Sequence, residues 1–154
     1  MLIRVDDLIG PEIVAFLDEH LCDMRAASPP ESKHALDLAG LRKPEITFWT
    51  AWSDAMLVGC CALKQLDESH GEVKSMRVAK EVRAKGIGAA LVAHVIGEAR
   101  ARGYLRLSLE TGAMLFFEPA RRLYRRHGFE VCGPFASYKP DPNSVFMMLK
   151  ILPQ

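Results

Sequence analysis

At 154 residues the chain is sized for one domain around one core, with an expected extent of 1–154. Apolar residues at 49% and charged residues at 25% give the balance of an ordinary globule and exclude a disordered chain. The net charge of +1, from 20 basic and 19 acidic residues, provides no overall field toward nucleic acid or acidic membranes, so neither is expected as a partner.

The first element is a short β-like run, Leu2–Val5. Gly10-Pro11 can open a helix because proline fits the first helical position, and Ile13, Phe16, Leu17, Leu21 and Met24 then form an apolar stripe. Ser28-Pro29-Pro30-Glu31 has capping-box spacing, which predicts a second helix through Leu36, Leu38 and Leu41, ended by Lys43-Pro44. Ile46–Trp52 reads as a strand, Ser53-Asp54 as a turn and Met56–Gln65 as the second strand of a hairpin. Asp67–Gly71 reads as a polar loop and Glu72–Val78 as the third strand of the meander. Ile87–Arg102 is a helix with Ile87, Leu91, Val95 and Ala99 on one stripe and Gly103 as its stop. Leu105–Glu110 alternates as a strand, Pro119–His127 reads as a helix closed by Gly128, and Phe129–Cys132 and Ser144–Ile151 read as closing strands. The sum is a mixed α/β domain of about seven strands and about four helices. Its one parallel crossover runs from strand Glu72–Val78 through helix Ile87–Arg102 to strand Leu105–Glu110.

The longest apolar run, Ala55–Leu63, contains Gly59 and is about half a membrane span. The segment Met1–Asp7 has no signal-peptide core, so the cytoplasm is the expected compartment. Cys22, Cys60, Cys61 and Cys132 form no C-x-x-C pair and read as buried reduced thiols, with Cys60 and Cys61 on opposite faces of a strand. His20, His34, His70, His94 and His127 show no ligand spacing, and no metal is expected.

The segment from Val73 to Leu91 carries the most chemistry. A β-rich run ends at Val78, a short basic loop follows, and Gly86 and Gly88 open a helix. Unpaired amides at a helix N-terminus and the helix dipole both favour an anion there. Gly86 and Gly88 let a diphosphate approach the backbone, and Arg83 and Lys85 add charge on the same rim. A Walker loop would need Gly-Lys-Ser/Thr, whereas Gly88 is followed by Ala89-Ala90. A dinucleotide fingerprint would turn from strand directly into glycines, whereas Ala79–Lys85 intervene and Leu91 stands at the third glycine. The remaining pattern is Arg/Gln-x-x-Gly-x-Gly/Ala, matched by Arg83, Gly86 and Gly88.

That pattern resembles the acetyl-CoA diphosphate loop of the GCN5-related N-acetyltransferases. About 30 residues on, Ala120, Tyr124, Gly128 and Phe129 match that family's Ala-x-x-x-Tyr-x-x-x-Gly-Phe segment. The segments Ser28–Leu38 and Ser108–Gly112 and the tail Cys132–Phe146 are similar to a bacterial subgroup of uncharacterised small acetyltransferases. The resemblance implies an acyl-CoA N-acyltransferase fold, a mixed sheet partly splayed between two parallel strands. It implies direct transfer of acetyl from acetyl-CoA to a primary amine of a small molecule, amino acid or peptide. It leaves room for a homodimer. A non-catalytic acyl-CoA sensor is the alternative; it would keep Arg83, Gly86 and Gly88 without needing Tyr124.

Site roles follow from the resemblance. Arg83, Lys85, Gly86, Ile87 and Gly88 would hold the diphosphate, and backbone near Met76 and Val78 would meet the thioester carbonyl. Tyr124 would protonate the departing thiolate. Glu72, placed by alternation on one face with Lys74, Met76 and Val78, would be the base, acting directly or through water, with Glu110 as its rival. The basic run Arg121, Arg122, Arg125 and Arg126 is read as mostly solvated surface. The family's acceptor site lies between the first two helices and the central strands, which nominates Ser28, His34 and Trp49. Many members carry asparagine three residues before the alanine, in contact with the cofactor; this chain has Phe117.

Overall fold

The computed structural model describes residues 1–27 and 38–152. Among these, strands β1 (Leu2–Val5), β2 (Ile46–Ser53), β3 (Met56–Asp67), β4 (His70–Val78), β5 (Arg106–Gly112), β6 (Glu130–Cys132) and β7 (Ser144–Lys150) form a seven-stranded sheet in the order β1-β2-β3-β4-β5-β7-β6. Helices α1 (Pro11–Ala27), α2 (Leu38–Leu41), α3 (Ile87–Ala101) and α4 (Glu118–Arg126) flank it. Only β4 and β5 run parallel; every other neighbouring pair is antiparallel. The capping box at Ser28–Glu31 and the first part of the second predicted helix lie outside the described residues.

Strand alternation decides which helix covers which face. In β3, Cys61 joins Trp49, Leu63, Val73 and Leu107 beneath α3, while its neighbour Cys60 joins Phe48 and Ala62 beneath α1. Helix α1 docks through Ile13, Phe16 and Leu17, and α3 through Leu91, Val92, Val95 and Ala99. The end of α3 is set at Gly103, at φ +78°, where the Tyr104 amide returns to the Ala99 carbonyl at 2.9 Å. The cysteines are all free thiols, but Cys22 is exposed and Cys132 only half-buried, contrary to the expectation of four buried ones. Burial pushes the Cys61 thiol up to about 12.

The expected polar loop Asp67–Gly71 is instead a tight hairpin turn. Ladder pairing continues to Asp67 opposite His70, because the Asp67 carboxylate accepts the Ser69 amide at 2.8 Å and closes the turn with its own side chain.

The more consequential difference lies in β4. Ala62 stands opposite Lys74 and Cys60 opposite Arg77, so β3 advances two residues while β4 advances three. The extra residue is accommodated at a bulge, with Ser75 at φ +54°. A one-residue slip exchanges the faces of everything beyond it. Glu72 and Lys74 therefore lie on the face away from α3, whereas Met76 and Val78 pack into the α3 cluster. The expectation of one shared face for these four residues fails at Ser75. Arg77 turns toward α1, over the ring of Phe16, and pairs with Glu19 at 3.1 Å and Asp23 at 3.0 Å.

Strands β4 and β5 pair only at their beginnings, His70–Glu72 against Arg106–Ser108. Beyond Glu72 no ladder joins them, and β5 continues along β7 instead. The sheet thus opens into a wedge between the second half of β4 and the second half of β5.

Candidate active site

At the outer end of the wedge, β4 passes through a 3₁₀ turn at Lys80–Val82 into the basic loop and α3. Gly86 occupies the N-cap position at φ +82° with no side chain capping the helix, and the first α-helical bond runs from the Ala90 amide to the Gly86 carbonyl at 3.1 Å. The amides before Ala90 have no intrahelical acceptor, which leaves an anion-binding terminus. Arg83 and Lys85 are exposed beside it. A Cβ on Gly86 would meet nothing within 4 Å, so this glycine serves its left-handed conformation. A Cβ on Gly88 would come within 3.0 Å of Leu123 on α4. Gly88 therefore sets how closely α3 and α4 pack, a role the sequence reading had not given it.

Inside the wedge, on the α3 face, Tyr124 lies in a narrow apolar crevice lined by Val73, Met76, Val92, Val95, Ile96 and Phe129. The start of α4 is held by Arg121, which is buried, donates to the carbonyls of Gly112 and Met114, and pairs with Glu118 at 2.7 Å. The Tyr124 carbonyl accepts the Phe129 amide at 3.1 Å, and their rings meet edge to face at 5.7 Å. Burial, with Cys61 nearby, pushes the Tyr124 phenol well above its ordinary value, so at neutral pH it is a proton donor.

The opposite face of the same strands is polar. Glu72 is 2% exposed, and its Oε2 accepts from the Tyr138 hydroxyl at 2.6 Å and from Lys74 Nζ at 3.0 Å. His70 and Ser108 join at 2.7 Å one step along the paired half. Glu110 sits on β5 past the point where β4 departs. Burial drives its carboxyl up to about 7, against the pull of Ser144 and Lys74, with Glu72 and Asp141 adding to the rise.

The sequence-nominated residues thus fall into three groups. Met76, Val78, Ile87 and Tyr124 meet on the α3 side of the wedge, and Arg83, Lys85, Gly86 and Gly88 lie together at the start of α3. Glu72 and Glu110 share the other face. Trp49 stands apart: it is 3% exposed in the core under α3, edge-on to His94 at 4.9 Å, which removes it from any acceptor cleft. Ser28 and His34 lie outside the described residues. Of the basic run, Arg121 is buried in structure while Arg122, Arg125 and Arg126 are exposed. Phe117 is buried, and its ring overlaps the place that a Cβ on Gly112 would take. Sequence reasoning gave no role to Tyr138, which reaches Glu72 across 66 residues from within the tail Cys132–Phe146.

A bare helix terminus beyond a splayed parallel pair, with a buried phenol in the split, defines a class: transferases that hold an acyl-CoA between two strands. The chain belongs to the acetyltransferase (GNAT) family, whose model matches residues 13–129. It is 56% identical to the uncharacterized N-acetyltransferase YsnE of Bacillus subtilis (strain 168), over 98% of this chain and 100% of that protein. It is 44% identical to the uncharacterized N-acetyltransferase YedL of Escherichia coli (strain K12), over 97% of this chain and 94% of that one. Among solved structures, a protein assigned as an acyl-CoA N-acyltransferase from Klebsiella pneumoniae superposes with a TM-score of 0.75 at 28% identity, covering 98% of this chain and 97% of the other. An aminoglycoside 6′-N-acetyltransferase complexed with coenzyme A shares the fold at a TM-score of 0.70 and 19% identity, covering 100% and 99%. The protein is an acetyl-CoA-dependent N-acetyltransferase. No described helix is long and apolar enough to cross a membrane.

Proposed function

We propose that the enzyme acetylates a primary amine on a small molecule, amino acid or peptide, with Glu110 receiving the acceptor's proton and Tyr124 supplying one to the departing thiolate. The observation that supports this reading is a largely buried carboxyl, Glu110, and a buried phenol, Tyr124, on opposite faces of the strands that form the wedge. Acetyl-CoA supplies the thioester acetyl, and the amides at the start of α3, with Arg83 and Lys85, fit its diphosphate. Backbone of β4 near Met76–Val78, released from β5, is available to polarise the thioester carbonyl.

An acceptor amine attacks only when neutral. For an alkylamine of pKa ~10.4 the neutral fraction at pH 7 is about 1 in 2,500, a deficit of roughly 4.6 kcal/mol; for an α-amino group near ~7.8 it is about 1 kcal/mol. A carboxyl held at about 7 is half ionised at neutral pH and suits proton removal better than one tied to a cation. Glu72, whose Oε2 accepts from both Tyr138 and Lys74, is already engaged, which favours Glu110 over the base nominated from sequence.

The test is thiol release from acetyl-CoA over a panel of alkylamines, amino acids and peptides. Turnover with one amine class supports the reading and names the acceptor. Thioester cleavage that is equal with and without every amine overturns it.

A further inference from the structure

Beyond Glu72 the second half of β4 has a strand on one side only. Its ladder with β3 is interrupted by the bulge, where the Cys60 thiol donates to the Ser75 carbonyl at 3.2 Å. Past the bulge the Ala79 amide donates to the Val58 carbonyl at 2.8 Å. Amides of an antiparallel strand point alternately to its two edges, so Val78, one residue earlier, turns its N–H to the edge that β5 has left. The sheet braces this backbone through one irregular ladder alone.

Arg77 adds a second brace from α1. Its side chain is 4% exposed and lies over the Phe16 ring at 5.2 Å. It pairs through Nη2 with Glu19 Oε1 at 3.1 Å and through Nη1 with Asp23 Oδ2 at 3.0 Å. His20 Nδ1 faces the same Nη1 at 3.4 Å. Burial, with Arg77 adding to it, lowers His20 to about 4 against the pull of Asp23, so at neutral pH the imidazole accepts and brings no further charge. Three residues on, Lys80 Nζ reaches the same two carboxylates, at 3.6 Å and 3.3 Å. Glu19 and Asp23 stand one turn apart on α1, beyond the buried anchors Ile13, Phe16 and Leu17. One helix thus grips the two cations that flank Val78 and Ala79. Nε of Arg77 has no partner among the described residues, so the grip runs through the two Nη atoms. A guanidinium this enclosed depends on keeping both carboxylates.

We propose that Arg77, held by Glu19 and Asp23, is a positioning residue for the thioester: it fixes the Met76–Val78 backbone at the edge that β5 has left. The proposal rests on the reading that this backbone polarises the thioester carbonyl. A donor aimed at that oxygen works only when its placement is held to a fraction of an ångström, and one broken ladder gives half the restraint of an ordinary interior strand.

The experiment is infrared difference spectroscopy of acetyl-CoA labelled with carbon-13 at the acetyl carbonyl, bound to the full chain without acceptor. A hydrogen bond to the carbonyl lowers its stretch, so the parent should show it below the value of free acetyl-CoA. Arg77→Lys keeps the charge but not the fork that spans both carboxylates, and it should lose most of that lowering. Its affinity for CoA by calorimetry should stay within about twofold of the parent, because the diphosphate contacts are untouched. A folded Arg77→Lys with the parent's stretch would overturn the proposal, and so would a loss of CoA affinity in step with the stretch, which would mean that the following loop had moved. Asp23→Asn changes a partly exposed partner and decides the matter if Arg77→Lys fails to fold. It should lose a smaller part of the lowering, since Glu19 still pairs with Arg77, and an unmoved stretch there counts against the proposal. A parent stretch equal to that of free acetyl-CoA would remove the carbonyl-donor reading, and the proposal with it; a lowered parent stretch that no variant moves removes the proposal alone.

Discussion

The two faces of the β4–β5 pair carry opposite chemistry. Toward α3 the strands present Val73, Met76, Val78, Leu107 and Leu109, and the polar group among them is the Tyr124 hydroxyl in its apolar crevice. On the other face, the paired halves present His70, Glu72 and Ser108, and Lys74 and Glu110 follow just beyond the point where pairing ends. Low polarity does different work on each side. On the α3 face it keeps a phenol protonated; on the other it lifts one carboxyl toward neutrality while a second is tied down by a lysine and a tyrosine. An enzyme that must accept a proton from one substrate and give one to another gains by separating the two environments, and the splayed sheet is the partition.

The sharpest way to break this comparison is to remove the proposed proton acceptor. Glu110→Gln should reduce kcat at pH 7 by about 10³-fold, near the middle of the range for general-base catalysis, and the steady-state rate with the identified acceptor checks it. A loss below tenfold would return the role to Glu72 or to water. The same variant should be more stable than the parent at pH 8. The carboxyl is neutral in folded and unfolded chains below pH 4.5, the unfolded chain ionises first between 4.5 and about 7, and above that the full cost of a buried charge is present. That cost is roughly 2 kcal/mol after allowing for partial exposure to solvent, so Tm for Glu110→Gln minus parent should grow between pH 5 and pH 8.

On the donor side, Tyr124→Phe should lower kcat by about 10²-fold, the low end for a general acid, because a thiol of pKa ~8.5 is a tolerable leaving group unaided. Acetyl-CoA affinity by calorimetry should stay near that of the parent, since the role proposed for the hydroxyl belongs to the breaking of the carbon–sulfur bond. The phenyl ring keeps its contact with Phe129. An unchanged kcat with a lower Tm would place Tyr124 in the core alone.

The β5–α4 corner holds the donor in register, and a smaller effect tests it. Gly112→Ala puts a methyl about where the Phe117 ring lies, a clash expected to cost about 2 kcal/mol and to show as a lowered Tm. Phe117→Leu in the same chain should recover much of the loss. If Gly112→Ala melts with the parent, the ring yields without cost and the corner is softer than its packing indicates.

The smallest expected effect lies at the anion rim. Arg83→Ala together with Lys85→Ala should weaken CoA binding about tenfold at low salt and less at high salt, because both side chains are exposed and screened. The bare amides of α3 should retain the remaining affinity. A salt-independent loss would mean that the loop itself had moved.

Much of this architecture was legible in the chain. The 3.6-residue stripes of α1 and α3 and the Gly103 stop are local patterns, and Ile13, Phe16 and Leu17 of the first stripe and Leu91, Val95 and Ala99 of the second are buried, whereas β2 and β3 are buried on both faces in continuous runs that show no alternation. The order of basic loop, Gly86 and helix is local too, and the helix starts where that order predicts. Side-chain partners across the sheet could not. The bulge at Ser75 leaves no mark in composition, because serine is not a residue that demands positive φ; the misfit between the β3 and β4 registers imposes it. Once the phase of β4 changed, Met76 and Arg77 exchanged the faces that simple alternation gives them.

Sequence by itself therefore pointed to most of the elements and their order, through periodicity, capping and short spacings that span at most a few turns, while the family entered through the resemblance of two separate motifs. Tertiary structure decided which carboxylate is available. Glu72 and Glu110 look alike in the chain, but Tyr138, 66 residues from Glu72, closes on one of them and leaves the other to be lifted by burial. Proton affinity belongs to an environment assembled from distant strands and loops, and no local pattern encodes it.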